Sequence, residues 1–174
     1  NGRNSFFLAR NNFRVEALDI NIQNVENLKI LSKQLKLDIE VKKLDVKKFK
    51  FQPKKYDLIL AVQSLIWMKK TEFIKIIKKI KDSLKPKGIV IISGFTTKDI
   101  SYLNLKSTRL PKGKNTFYSK SEKRYWQFLG KQELKKYFDR DFKILYYKEK
   151  LIREKGHNGL SKYHNHGIAE IVVK

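Results

Sequence analysis

Two hydrophobic periods alternate along this chain. Period-two or continuous apolar runs predict strands at Arg14 to Asp19 (RVEALD), Asp38 to Leu44 (DIEVKKL), Tyr56 to Val62 (YDLILAV) and Gly88 to Gly94 (GIVIISG). The third run is almost entirely apolar after Asp57, as expected of a strand covered on both faces. Between them lie stretches with helical spacing. Ser5 to Asn11 is a short one, with Phe6, Phe7 and Leu8 as apolar contacts. Asn21 to Leu35 sets Val25, Leu28, Leu31 and Leu35 on one face, and Asn21 can cap it. Thr71 to Leu84 has an inner stripe of Phe73, Ile76, Ile77, Ile80 and Leu84 under an outer one of lysines. Pro86 and Gly88 stop it.

Residues 95–129 are polar and show no clear period. Lys131 to Phe138 follows as a helix. Phe142 to Leu151 and Gly167 to Val173 are the last two strands, and a polar loop holding every histidine joins them. The chain between Leu44 and Tyr56 is too short for a long helix, so that crossover is short or irregular. The alternation of strands and helices predicts an α/β fold with a mostly parallel sheet, in one domain of 174 residues.

Composition narrows the class. At 41% hydrophobic and 12% aromatic the chain can bury a core. No apolar run reaches the roughly 18 to 20 residues of a membrane helix. The chain has no cysteine, which removes disulfides and thiolate chemistry. A cytoplasmic protein is the expectation. Lys+Arg number 40 against 17 Asp+Glu, a formal net charge of +23. Such a field attracts nucleic acid or anionic surfaces. The cations are mostly lysines spread along the whole chain, however, with many Asn and Ile, the bias of an AT-rich genome.

In open α/β sheets, ligands sit beyond the carboxyl ends of the strands. Three residues fall there. Gly2 stands just before a helix, Asp19 ends the first strand, and Asp45 follows the second. A glycine turn before a helix lets a ligand approach backbone N–H groups. A strand-end acid can accept two bonds from ribose hydroxyls, and a further acid can meet an adenine amino group. Together they could hold an adenosine. Taken singly, each acid also suits a helix cap or a turn.

GRNSFFLAR, VEALDIN, LDV, YDLILAVQSL, and LKPKG followed by IVIIS, in that order, resemble the class I S-adenosylmethionine-dependent methyltransferases. NGRNS together with the ending HNHGIAEIVVK resembles, more narrowly, the tellurite-resistance methyltransferase group. The resemblance implies a Rossmann-like methyltransferase fold, a mostly parallel sheet with an antiparallel last strand. In that group the first strand runs into a glycine-rich loop of the form D-x-G-C-G-x-G-R-N-S. The chain starts inside that loop, so it reads as a fragment whose first strand is missing.

The resemblance also implies S-adenosyl-L-methionine as cofactor. Gly2 is then the last loop glycine, beside the methionine part, and Arg3 helps shape that pocket. Asp19 takes the ribose hydroxyls and Ile20 lies against the adenine. Asp45 and Val46 meet the adenine edge, and Val62 and Gln63 line the floor near the sulfonium. Gln63 departs from the Asn of the amino-methylating branch, and the Pro-Pro-Tyr/Phe that follows there is absent. That argues against methylation of adenine N6, cytosine N4 or protein glutamine.

His157, His164 and His166 are the only histidines. In an extended chain His164 and His166 point the same way. Loop histidines with no acid or cysteine near them make a poor metal site, so no metal is expected. A neutral histidine could remove a proton or orient a soft anionic nucleophile, with Arg153 and Lys162 neutralising an oxyanion. An exposed polar turn accounts for the same residues equally well. The insert 95–129 carries Tyr102, Phe117, Tyr118, Tyr125 and Trp126 among cations. It reads as a lid over the substrate, though interleaved aromatics and cations can also stack bases. The expected acceptor is a small molecule or metalloid anion, of tellurite, selenium or thiol type. An RNA methyltransferase and a non-catalytic module that binds an adenosine ligand or nucleic acid are the alternatives.

Overall fold

The computed structural model describes residues 2–155 and 163–174. Two compact units make up the chain, Asn1–Lys50 and Phe51–Lys174.

In the first unit, helix α1 (Arg3–Arg10) leads into strand β1 (Val15–Asp19), helix α2 (Ile22–Gln34) and strand β2 (Ile39–Lys43). β1 and β2 pair in parallel, with Asp19 opposite Lys43. Asn21 caps α2 by accepting a bond from the Asn24 N–H at 3.2 Å. Val25, Leu28 and Val41 form a small core, with Phe6, Ala17 and Ile39 packed against it. One 3-10 turn, Val46–Lys48, is all that follows β2, in keeping with the short crossover expected there.

The second unit is built on four strands in the order β3 (Tyr56–Val62), β4 (Leu84–Phe95), β8 (Tyr163–Val173), β7 (Ile144–Lys155). β3 and β4 are parallel, and β8 runs antiparallel to both β4 and β7. The last strand is therefore the reversed one, as the sequence predicts. Helix α3 (Lys70–Ser83) buries the expected stripe of Phe73, Ile76, Ile77 and Ile80. The register between β3 and β4 jumps from Tyr56–Leu84 to Leu58–Ile89. The punctuation at Pro86 and Gly88 thus loops a few residues out of a longer strand.

Three expectations need correction. The unassigned insert is ordered: it forms helix α4 (Ile100–Thr108) and a hairpin of β5 (Thr116–Ser119) and β6 (Arg124–Gln127). The helix expected at Lys131 to Phe138 shrinks to α5 (Glu133–Lys136), although Leu134 and Phe138 do bury. The last two strands reach further than the apolar pattern suggested. β8 begins at Tyr163, so His164 and His166 lie in a sheet and not in a loop. Polar residues fill those strand positions, which hid them from a hydrophobic reading. His157 and Lys162 lie outside the described residues. Among the described residues, no helix is long and apolar enough to cross a membrane.

Candidate active site

The candidate residues fall into groups, each within one unit. In the first, Gly2 precedes α1 with φ of 70°, a left-handed conformation. A Cβ there would meet Leu28 Cδ1 at 2.7 Å. The conformation favours glycine, and an added methyl would have to push the Leu28 side chain aside. Arg3 opens the helix and is exposed.

Asp19 closes β1. Its Oδ1 accepts from the Asn21 N–H at 2.9 Å and its Oδ2 from Asn24 Nδ2 at 2.9 Å. Asp45 follows the neighbouring strand, where its Oδ1 accepts from the Lys47 N–H at 2.9 Å. Its Oδ2 is paired with Lys47 Nζ at 3.3 Å. Parallel pairing thus brings both acids to one carboxyl edge, joined by the bond from the Leu44 N–H to the Asp19 carbonyl at 3.0 Å. Ile20 is 67% exposed, an apolar side chain open at that edge, and Val46 is half-buried.

Val62 and Gln63 end β3 in the second unit. Val62 is 39% exposed. Gln63 takes a φ of 50°, and its N–H donates to the Ser93 carbonyl at 3.0 Å.

The second group is buried. His164 and His166 alternate inward along β8, and their Nε2 atoms lie 2.9 Å apart. His166 Nδ1 donates to Asp99 Oδ2 at 2.8 Å, and the Asp99 side chain has no exposure. The other oxygen, Oδ1, accepts from the Ser101 N–H at 2.8 Å and so caps α4. One carboxylate thus starts a helix and fixes a ring. The Phe95 ring stacks on His166 at 5.3 Å between centroids.

The segment that carries Asp99 is stitched on both sides. The Thr96 N–H donates to the Gly167 carbonyl at 2.7 Å, and the Thr97 N–H to the Leu129 carbonyl at 3.0 Å. A Cβ on Gly167 would fall 2.5 Å from Thr96 Oγ1 and 2.8 Å from the Asp99 nitrogen. Only a glycine lets β8 come this close. Below Leu129, Glu133 accepts from the Gly130 N–H at 2.7 Å and from the Tyr137 hydroxyl at 2.9 Å, and pairs with Lys70 at 3.1 Å. Burial pushes the Glu133 carboxyl up, but these partners outweigh it and hold it below its ordinary value of 4.5. Burial lowers Lys70, against the pull of Glu133.

Glu154 stands opposite His164 in the β7–β8 pairing, with its Oε2 3.9 Å from His166 Nε2. An acid therefore does lie beside the histidines, which removes the ground on which the sequence argued against a metal there. Arg153 is not brought to the histidines. It pairs with Asn165, on the other face of the hairpin, and its guanidinium lies over the Tyr163 ring at 5.0 Å. Sequence reading missed Asp99 and Glu154. The Asp-x-Ser start of α4 was a readable cap signal, but nothing local pointed from it to His166.

The insert aromatics are largely used inside the unit. Phe117 is buried, and it meets Tyr102 and Phe128 edge-to-face. Trp126 packs against Trp67 and donates to Glu122.

The fold matches those of known proteins. TehB from Haemophilus influenzae superposes with a TM-score of 0.77 at 19% identity, over 99% of this chain and 54% of that one. The chain thus spans about half of that protein's length. A SAM-dependent methyltransferase from Methanosarcina mazei gives 0.73 at 20% identity, over 99% of this chain and 87% of that one. The Burkholderia thailandensis 1,6-didemethyltoxoflavin-N1-methyltransferase, solved with 1,6-didemethyltoxoflavin and S-adenosylhomocysteine, gives 0.68 at 13% identity, over 99% and 65%. No curated protein matches the sequence. At these identities the likeness is one of fold: Rossmann-like α/β, as in class I methyltransferases. A family model described as tellurite resistance protein TehB matches residues 1–159, all of the first compact unit and most of the second. The chain belongs to the TehB family.

Proposed function

We propose that this protein is an enzyme, an S-adenosylmethionine-dependent methyltransferase that acts on a small molecule or metalloid anion of tellurite, selenium or thiol type. The observation that carries the reading is the pair of acids at one carboxyl edge, Asp19 and Asp45, in a chain of this family. Both units are read as one methyltransferase domain in the cytoplasm, since the family match runs across both. The insert 95–129 is read as the substrate lid.

The residues fit the cofactor. Each Asp19 oxygen accepts one hydrogen bond, and a carboxylate oxygen has room for two, so both ribose hydroxyls can still be held. Gly2 and the exposed Arg3 after it would lie beside the methionine part. Ile20, Asp45 and Val46 would take the adenine.

When bound, the cofactor supplies an electrophilic methyl carbon on sulfur. Displacement there is in line, so positioning and exclusion of water supply much of the rate. His164 and His166 receive the acceptor side. Asp99 holds the proton on His166 Nδ1, which leaves the Nε2 lone pair turned toward His164. With the contact to His164 opened by the acceptor, that nitrogen would take the acceptor's proton, and the N–H so formed would orient the anion. Arg153, on the other face, is left out of the reacting group.

The test is calorimetric titration of S-adenosylhomocysteine into the protein, followed by transfer of labelled methyl to tellurite, selenite, thiols and RNA. Binding with turnover on a small anionic acceptor is the expected result. A folded protein that binds no cofactor would sink the reading, and turnover on RNA would replace the acceptor class.

A further inference from the structure

We propose that Glu154, His164 and His166 form a three-ligand site for a divalent transition metal of the zinc type. One ligand atom from each lies within 4.8 Å of the other two. On a tetrahedral zinc with bonds of about 2.0–2.1 Å, two nitrogens stand roughly 3.3 Å apart. The two Nε2 atoms are 2.9 Å apart, so the rings need to spread only slightly. Glu154 Oε2, 3.9 Å from His166 Nε2, has to close in by a little more. The ring pair is buried while the Glu154 side chain is 45% exposed. A preset pair and a movable carboxylate suit a site that must admit its ion from solvent.

Three further features point the same way. A metal-bound imidazole usually donates its other N–H to a carboxylate, which fixes the ring and makes it a better ligand. His166 does this already, to Asp99. The charge is also right. Glu154 and Asp99 bring two carboxylates to the rings, in a chain whose formal net charge is +23. Strand alternation pairs Arg153 with Asn165 and Lys155 with Tyr163, which directs both cations to the other face. Finally, two imidazoles and one carboxylate suit zinc and its first-row neighbours better than magnesium or calcium.

Three protein ligands leave one position open, as in catalytic zinc sites. The metal site stands on this geometry alone. What fills the open position rests on the methyl-transfer reading: a soft anionic acceptor such as a thiolate or selenolate, which the metal would hold as the anion in place of proton removal by the rings.

The experiment is titration of Zn²⁺ into tag-free, chelator-treated protein with no cofactor present, with Co²⁺ absorption in the visible as a second readout. One ion per chain and a ligand-field band of a four-coordinate site are expected. Glu154→Gln is exposed and should fold normally; it should weaken binding at least tenfold. Asp99→Asn should weaken it about 10- to 100-fold, and His166→Ala should abolish it. Circular dichroism checks folding, and if the buried variants fail to fold, Glu154→Gln decides alone. Wild-type protein that takes up no ion, or a Glu154→Gln variant that binds as the wild type does, would overturn the site. In that case the ring contact is a shared proton and nothing more. Titration of S-adenosylhomocysteine into the same samples keeps the two proposals apart. Zinc without cofactor binding would leave the metal site standing and remove the methyltransferase reading; cofactor without zinc would do the reverse.

Discussion

Asp19 and Asp99 each accept a bond from the backbone N–H two residues on, yet they sit in opposite settings. Asp19 lies at the rim of a two-stranded sheet, partly open, and its side chain bonds residues two and five positions away. Asp99 has no exposure, and it bonds a residue 67 positions along the chain. The first keeps acceptor capacity for a ligand. The second also accepts one bond on each oxygen, but its burial closes it to any ligand. On the function proposed above, a carboxylate that binds and one that positions are told apart by burial and by the reach of their side-chain bonds, not by residue type or local motif.

Removing the rings that Asp99 serves is the sharpest way to break this comparison. The His164→Ala, His166→Ala double variant should lower methyl transfer by about 10²- to 10⁴-fold, the usual weight of a positioned proton-transfer group. Its affinity for S-adenosylhomocysteine should stay as it was. Unchanged turnover would return the buried group to a structural role.

Gly167→Ala disturbs the same group without touching a polar atom. The added methyl falls on Thr96 Oγ1 and on the backbone at Lys98 and Asp99. Overpacking of this kind costs about 1–3 kcal/mol, to be read from urea denaturation. A variant as stable as the wild type would mean that the 96–99 segment yields easily.

Asp19→Ala probes the other side. Cofactor binding should weaken by about 1–3 kcal/mol, because ribose hydroxyls lose their acceptor. Calorimetry checks this, and turnover at saturating cofactor should change little. Equal affinity would mean the adenosine lies elsewhere.

The smallest effect is expected from acid. Glu133 is held below its ordinary value of 4.5 in the folded chain. The unfolded chain therefore binds the proton first, and stability falls with falling pH. The contribution is complete above the ordinary value and disappears as pH drops through the folded one. Glu133→Gln should flatten that acid limb, since it also removes the anchor beneath Leu129 and the 96–99 segment. A limb with the same slope in both proteins would show that other carboxylates set it.

The two regions also differ in how far the sequence exposed them. Asp19 and Asp45 were legible because strand ends follow from hydrophobic periodicity, and ligands gather where parallel strands end. The shared orientation of His164 and His166 was legible as well, from the two-residue period of an extended chain. Their burial was not. A run such as Tyr-His-Asn-His has no apolar signature, and only pairing with β7 makes it part of a sheet. Asp99 and Glu154 were further out of reach, since each joins the histidines through tertiary pairing. The insert failed for a related reason: its buried aromatics, Phe117 among them, are scattered among cations and mask the helix and hairpin that carry them.

The double duty of Asp99 has a consequence for motion. Helix ends normally fray at little cost, and their first amides exchange with solvent early. Here the Ser101 amide and the His166 ring share one carboxylate. Loosening the first turn of α4 removes one of the two holds on that carboxylate, and turning the ring removes the other, so each weakens its counterpart. Hydrogen exchange at Ser101 is therefore a reporter on the histidine pair: a single backbone amide whose protection rises or falls with the order of the site.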